Sequence, residues 1–230
     1  MKIGLAQINP TVGAVDGNAD LILKCIRDYS KSVDLLVFPE MSLSGYPPQD
    51  LLKESNFLDK IESRFNEIVC SVGEAVVVLG LPRKSDGKLY NSAAVIKKGS
   101  TLFFSDKTLL PSYDVFDETR YFSSSEIKNC PMNIVIGNSE VCLGVQVCED
   151  LWDEGYPVRV TDDMIKYGAE MIINISASPF EINRFNKRLS LCIDKAKHLK
   201  YNFIYLNMVG GQDELVFDGN SFIVNSTGEI

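Results

Sequence analysis

Two stretches of this chain, Leu35-Leu36-Val37-Phe38 and Ala75-Val76-Val77-Val78-Leu79-Gly80-Leu81, carry no polar side chain, and this constrains the fold more than any other feature. A strand with one wet face alternates apolar and polar residues. A run that is apolar throughout must be covered on both faces. The segments preceding each run supply a cover. Leu21, Ile22, Cys25, Ile26 and Tyr29 recur at helical spacing, as do Phe57, Leu58, Ile61, Phe65, Ile68 and Val69. Each set forms the apolar stripe of an amphipathic helix. Strand and helix alternating in this way predict an α/β protein.

The remainder of the chain continues the pattern. A first strand is predicted from Lys2 to near Ile8, with Asp16 placed to cap the helix that follows. Residues 91–96 and 101–104 flank Lys97-Lys98-Gly99-Ser100, a hairpin with a glycine turn. Further strands are expected at 134–136, 141–147, 171–175, 203–206 and 221–224, with helices at 162–167 and 184–199. Tight hairpins make the sheet mixed rather than purely parallel. No Pro/Gly/Ser-rich linker and no solenoid-length repeat divides the chain, so 1–230 reads as one domain. Asn225-Ser226-Thr227-Gly228-Glu229-Ile230 reads as a turn opening into another strand, so the domain is expected to be incomplete at that end.

A length of 230 residues can bury a sizeable core, and 45% hydrophobic with 23% charged residues is ordinary for a globular chain. The net charge of −8 argues against a nucleic-acid partner. Six scattered cysteines without a C-x-x-C pair, no signal peptide and no membrane-length apolar run point to free thiols in a reducing cytoplasm. With a single histidine, zinc-ligand spacing is missing, and no metal is expected.

That histidine, His198, also limits the chemistry. Cysteine and serine hydrolases usually use an imidazole as base, and His198 sits between Lys197 and Leu199 near a predicted helix end, where a cation is simply favourable. Any nucleophilic site here is expected to use a carboxylate instead. Three residues at strand ends form a matching set: Glu40 after Leu36-Val37-Phe38-Pro39, Lys107 after Ser105-Asp106, and Cys148 after Val145-Gln146-Val147. Each has a plainer alternative. Most lone glutamates and lysines are solvated, and most free cysteines are small core residues. For Cys25, Cys70, Cys130, Cys142 and Cys192 that plainer reading is accepted. Around the other three residues the context differs. A Gly/Pro-constrained loop, Gly45-Tyr46-Pro47-Pro48, follows Glu40, an irregular aromatic and acidic stretch follows Lys107, and Glu149-Asp150-Leu151-Trp152 follows Cys148. In the alternation of its strand, Cys148 is expected to face with Cys142, Gly144 and Gln146, opposite Val141, Leu143, Val145 and Val147.

These segments resemble the nitrilase (carbon–nitrogen hydrolase) superfamily and, within it, the glutaminase domain that opens glutamine-dependent NAD synthetases. The resemblance is carried by residues 38–52, by Lys107-Thr108-Leu109-Leu110-Pro111 through Tyr121-Phe122, and by Cys148-Glu149-Asp150-Leu151-Trp152. Ser176-Ala177-Ser178-Pro179-Phe180 and residues 210–219 extend it over the whole chain. It implies a four-layer α-β-β-α sandwich, truncated at its C-terminus, and release of ammonia from glutamine. By resemblance Glu40 is the general base, Lys107 the oxyanion stabiliser, Cys148 the nucleophile, and Glu118 the second glutamate holding the lysine. Tyr113, Ser178 and Arg184 match residues that grip glutamine, with Tyr46 and Trp152 as pocket walls. The family enzyme continues into a synthetase domain that uses ATP and Mg to make NAD from its deamido precursor. This chain has no S-G-G-x-D-S loop, so no cofactor is expected in it. The expected partners are glutamine, the synthetase domain and further copies of the chain in a homo-oligomer, with neither nucleic acid nor membrane.

The implied chemistry is consistent with these residue types. A thiol of pKa about 8.5 is mostly protonated at neutral pH; Glu40 is expected to take its proton and Lys107 to favour thiolate and then oxyanion. A backbone N–H after Cys148 is expected to complete the oxyanion hole, worth roughly 3 kcal/mol. Arg184 is suited to the substrate α-carboxylate. Two other readings stay open: a free-standing nitrilase-fold amidase for another small amide, and a non-catalytic fragment serving as an interaction module.

Overall fold

A computed structural model describes residues 1–125 and 130–230. In chain order the elements are β1 (Ile3–Leu5), α1 (Val15–Tyr29), β2 (Leu35–Val37), α2 (Ser55–Ser71), β3 (Val76–Ser85), β4 (Lys88–Lys97) and β5 (Ser100–Asp106). They continue with β6 (Met132–Ile136), β7 (Ser139–Val147), α3 (Val160–Lys166), β8 (Met171–Ser176), α4 (Arg184–Leu199), β9 (Asn202–Asn207), β10 (Val209–Gln212), β11 (Leu215–Asp218) and β12 (Phe222–Val224). One five-stranded sheet has the order β1-β2-β3-β4-β5, the other β12-β9-β8-β7-β6, and β10 and β11 form a separate hairpin.

The period-two alternation of the strands separates the core into layers. Leu35, Val37, Val76, Val78, Ala93 and Val95 of the first sheet pack against Leu143, Val145, Val147, Ile173, Ile175 and Ile204 of the second. The intervening residues of the first sheet, Leu36, Val77, Leu79, Ala94 and Ile96, pack against Ile22, Ile26, Ile61 and Ile68 of α1 and α2. On the far side Ile172, Phe203 and Tyr205 pack against Met164, Cys192 and Ala196 of α3 and α4. The molecule is therefore an α-β-β-α sandwich, and the uninterrupted apolar runs are strands covered by a helix layer on one face and a sheet on the other. Burying each such aliphatic side chain contributes about 1.5–3 kcal/mol before entropy.

Several boundaries differ from the sequence expectation. The first strand stops at Leu5, because the Gln7 N–H turns back to the Leu5 carbonyl at 3.0 Å. Asp16 lies inside the first turn of α1, and Ala14 occupies the cap position. In the first turn a carboxylate still favours the helix N-terminus. β3 and β4 run on past Leu81 and before Asn91 as a ribbon closed by Asp86 and Gly87, both at positive φ (50° and 74°), the residue pair such a hairpin turn favours. Among the described residues no helix is long and apolar enough to cross a membrane.

Candidate active site

Chain direction brings the predicted residues to one end of the sandwich. β1, β2 and β3 are parallel, and β5 runs with them because β4 is antiparallel to both of its neighbours. In the second sheet β7, β8 and β9 are parallel. Glu40 follows β2, Lys107 follows β5, Cys148 follows β7 and Ala177 follows β8. Gly80 of β3 lets the Glu40 turn approach closely: a Cβ there would lie 2.4 Å from the Pro39 carbonyl oxygen and 2.6 Å from Glu40 Cα.

At this end the charged groups are closed off from solvent. Glu40 is 0% and Lys107 1% exposed. The Lys107 ammonium donates to Glu40 Oε1 at 2.9 Å and to Glu118 Oε1 at 2.8 Å. Asn91 Nδ2 donates to the same Glu40 oxygen at 2.7 Å, and the Ala177 N–H to Glu40 Oε2 at 2.7 Å. Tyr46, itself buried, donates its hydroxyl to Glu118 Oε1 at 2.9 Å. A carboxylate offers about four lone-pair positions. Three of those on Glu40 are taken by described residues, which leaves one position on Oε2 open to a further proton.

Burial and neighbouring charges shift Lys107, Glu118 and Cys148. Burial works against the charge of Lys107, but Glu118 and Glu40 outweigh it and hold the ammonium well above its ordinary pKa. Burial pushes the Glu118 carboxyl up, opposed by Lys107 and reinforced by Glu40. Burial, followed by the charge of Glu40, pushes the Cys148 thiol well above its ordinary value, and the opposing pull of Lys107 is the smaller effect. Lys107 does pull the cysteine toward thiolate, but burial and Glu40 outweigh that pull. Both effects favour the thiol form of the resting group.

Cys148 also faces differently from the strand alternation. It opens a 3-10 helix, Cys148–Trp152, with φ at 44°, in the left-handed region that non-glycine residues seldom adopt. The backbone leaves the β7 ladder there, and the side chain packs in the inter-sheet cluster with Val145 and Val147 instead of facing with Gln146.

Asp150, not singled out by sequence, holds this turn in place. Its carboxylate accepts the Val147 N–H at 3.1 Å and the Thr108 and Leu109 N–H groups at 3.0 and 2.8 Å, tying the Cys148 turn to the segment after Lys107. Burial pushes its carboxyl up to about 7, against the pull of these amide donors. The available signal was an acidic residue two places after the cysteine, but its partners are long-range.

The other predicted residues lie around this cluster. Tyr113 donates its hydroxyl to Glu149 at 3.0 Å, and Tyr156 does so at 2.9 Å. Burial and the Glu149 charge raise both phenols, that of Tyr156 to about 12. Ser178 is buried; its N–H donates to Asn207 Oδ1, and its carbonyl accepts from Asn207 and from Arg188, an arginine that sequence reasoning missed. Arg188 is fully buried and also donates to Asp218 at 2.7 Å. Arg184 pairs with Glu181, and its guanidinium lies 5.6 Å from the centroid of the Trp152 ring. His198 is exposed in the last turn of α4.

The fold and site together define a class, an α-β-β-α sandwich with a buried carboxylate–lysine–thiol cluster at the strand ends. The chain belongs to the carbon–nitrogen hydrolase family, whose model matches residues 2–230. It is 40% identical over 232 residues to a glutamine-dependent NAD(+) synthetase of Aquifex aeolicus, covering 100% of this chain and 39% of that protein. It matches the structure of the glutamine-dependent NAD+ synthetase of Acinetobacter baumannii with a TM-score of 0.90 and 33% identity, over 99% of this chain and 42% of that one. An amidase from a Nesterenkonia species shares the fold (TM-score 0.82, 23% identity), and there the match covers 100% of this chain and 84% of the amidase. The chain thus spans about two fifths of the NAD synthetases it resembles.

Proposed function

We propose that this chain hydrolyses the side-chain amide of glutamine through a thioester on Cys148, supplying ammonia to a synthetase region that makes NAD from deamido-NAD. The observation that carries this reading is the buried cluster of Glu40, Lys107 and Glu118 beside Cys148. The raised thiol calls for a base, and Glu40 has one lone pair left for its proton. The Cys148 sulfur attacks the amide carbon as Glu40 takes the proton, and the negative charge passes to the carbonyl oxygen, where the Lys107 cation is the stabilising group. Protonated Glu40 then donates to the leaving nitrogen, and ammonia departs. Water, deprotonated by Glu40, releases glutamate and restores the thiol. Glu118 keeps Lys107 charged and in place, and Tyr46 holds Glu118.

Glutamine as substrate rests on the relatives, which are named for their dependence on it. Tyr113, Ser178 and Arg184 would hold its amino-acid end, with Trp152 as a wall beside Arg184. ATP and Mg would belong to the synthetase region. The test is ammonia release from glutamine, asparagine, formamide and a carbamoyl compound by the native chain and by C148A. Release from glutamine that depends on Cys148 supports the reading. A preference for another amide makes the chain a different amidase of this family, and no Cys148-dependent release from any amide overturns the catalytic reading.

A further inference from the structure

Asn91 is fully buried near the start of β4, and it touches every charged member of the cluster. Its backbone carbonyl accepts the Lys107 N–H at 2.8 Å. Its Nδ2 donates to Glu40 Oε1 at 2.7 Å and reaches Glu118 Oε2 at 3.5 Å. Its Oδ1 is buried with no hydrogen-bond partner among the described residues. An amide flip would give Oδ1 a place only by turning it toward the two carboxylates, so the charges dictate the orientation, and the unsatisfied oxygen is the cost of presenting Nδ2.

Charge counting shows what this amide does. Two buried carboxylates share one ammonium, an arrangement that ordinarily drives one carboxylate to take up a proton. Yet every hydrogen-bond partner described for the Glu40 and Glu118 carboxylates is a donor: Lys107 from the end of β5, Tyr46 from the loop after β2, Ala177 after β8, and Asn91 itself. Other titratable groups whose charge acts here, Cys148, Glu149 and Asp150 after β7, are a thiol and two further carboxyl groups, and none of them supplies a positive charge.

We propose that Asn91 is a positioning residue for the reaction, a neutral donor bridging Glu40 and Glu118 that keeps both carboxylates ionised beside a single lysine, so that Glu40 stays free to accept the proton of Cys148. The proposal rests on the reading of Glu40 as base. An aspartate at position 91 would add an acceptor where a donor is needed, and the shorter serine hydroxyl would not reach across to both carboxylates. In either case the carboxylate pair takes up a proton at higher pH.

The experiment compares the native chain with N91S and N91D, measuring kcat/KM for ammonia release from pH 5 to 9. The rate of Cys148 alkylation by iodoacetamide is followed over the same range, because it needs no turnover. The expected result is an acid limb displaced upward by about one pH unit in N91S, hence a loss that approaches tenfold below the native limb and disappears above the variant's limb, with a larger displacement in N91D. A purely structural role would instead lower both rates by the same factor at every pH, and that result, or unchanged profiles, overturns the proposal. N91S adds no charge and removes a few atoms, so it serves if N91D does not fold. Failure of the underlying reading has its own signature: native ammonia release that persists in E40Q.

Discussion

Replacing Lys107 with methionine removes the only cation in contact with Glu40 and Glu118 among the described residues and keeps much of its stem volume. Two carboxylates, 0% and 4% exposed, then face each other with no counter-charge. If they stay ionised, breaking a buried pair costs about 3–5 kcal/mol. If they are neutralised, holding a glutamate of ordinary pKa about 4.3 in its protonated form at pH 7 costs about 3.7 kcal/mol, so two cost about 7, and a shared proton about half that. Either cost is a large part of a typical stability of about 5–15 kcal/mol. The neutralised variant has a characteristic pH dependence. Its folded carboxylates bind protons more tightly than the unfolded chain does, so this contribution to stability is present below about pH 4 and is lost as pH rises. The gap between native protein and K107M should widen by about 1.4 kcal/mol per pH unit for one proton taken up, or about 2.7 for two, between pH 5 and 7. Urea unfolding of both proteins at pH 5, 6, 7 and 8 measures this. A gap that is constant with pH and smaller than about 3 kcal/mol would refute the reasoning, since losing Lys107 would then bring neither an uncompensated buried charge nor proton uptake.

Three further outcomes follow from the same geometry. G80A forces a Cβ against the Pro39 carbonyl and Glu40 Cα, so thermal melting should show about 1–3 kcal/mol of destabilisation, with a fall in kcat exceeding that in KM. E40Q should slow alkylation of Cys148 at pH 7.5 while leaving the exposed Cys70 and Cys130 unchanged, as read by peptide mass spectrometry; an unchanged rate at Cys148 would mean that its thiolate forms without that base. H198Q, at an exposed position, should shift stability by no more than about 0.5 kcal/mol and leave turnover intact.

The parts of the fold legible in the sequence are those where side-chain period alone decides. α2, α4 and the two-sided strands β2 and β3 follow directly from their apolar spacing, and the residues on each face sort into the layers that the alternation implies. The β10–β11 hairpin is not legible that way. Its Val209-Gly210-Gly211-Gln212 strand has little strand propensity, and Gly210, at φ 121°, leaves the space that the Asn9 side chain occupies. Nor did the polar ends of β3 and β4 read as strand, because that ribbon is only partly covered and Pro82 interrupts it; the Asp86-Gly87 turn was the signal that was overlooked.

The site shows the same division. Glu40, Lys107 and Cys148 stand at ends of recognisable strands, so their convergence follows from topology. The orientation of Cys148 depends on a single positive φ, and the roles of Asn91, Asp150 and Arg188 depend on partners distant in sequence. Local sequence carries no trace of such contacts. The raised thiol of Cys148 is likewise a property of the assembled site, where burial and Glu40 outweigh the lysine.

The central claim is that Cys148 forms a covalent acyl intermediate from glutamine with Glu40 as its base. Rapid quenching of the chain with glutamine in acid, followed by peptide mass spectrometry, tests it most directly. One γ-glutamyl group is expected on the peptide carrying Cys148, labile to hydroxylamine, absent in C148A and formed far more slowly in E40Q. Ammonia release from glutamine that continues in C148A, or an adduct on any other residue, would contradict it.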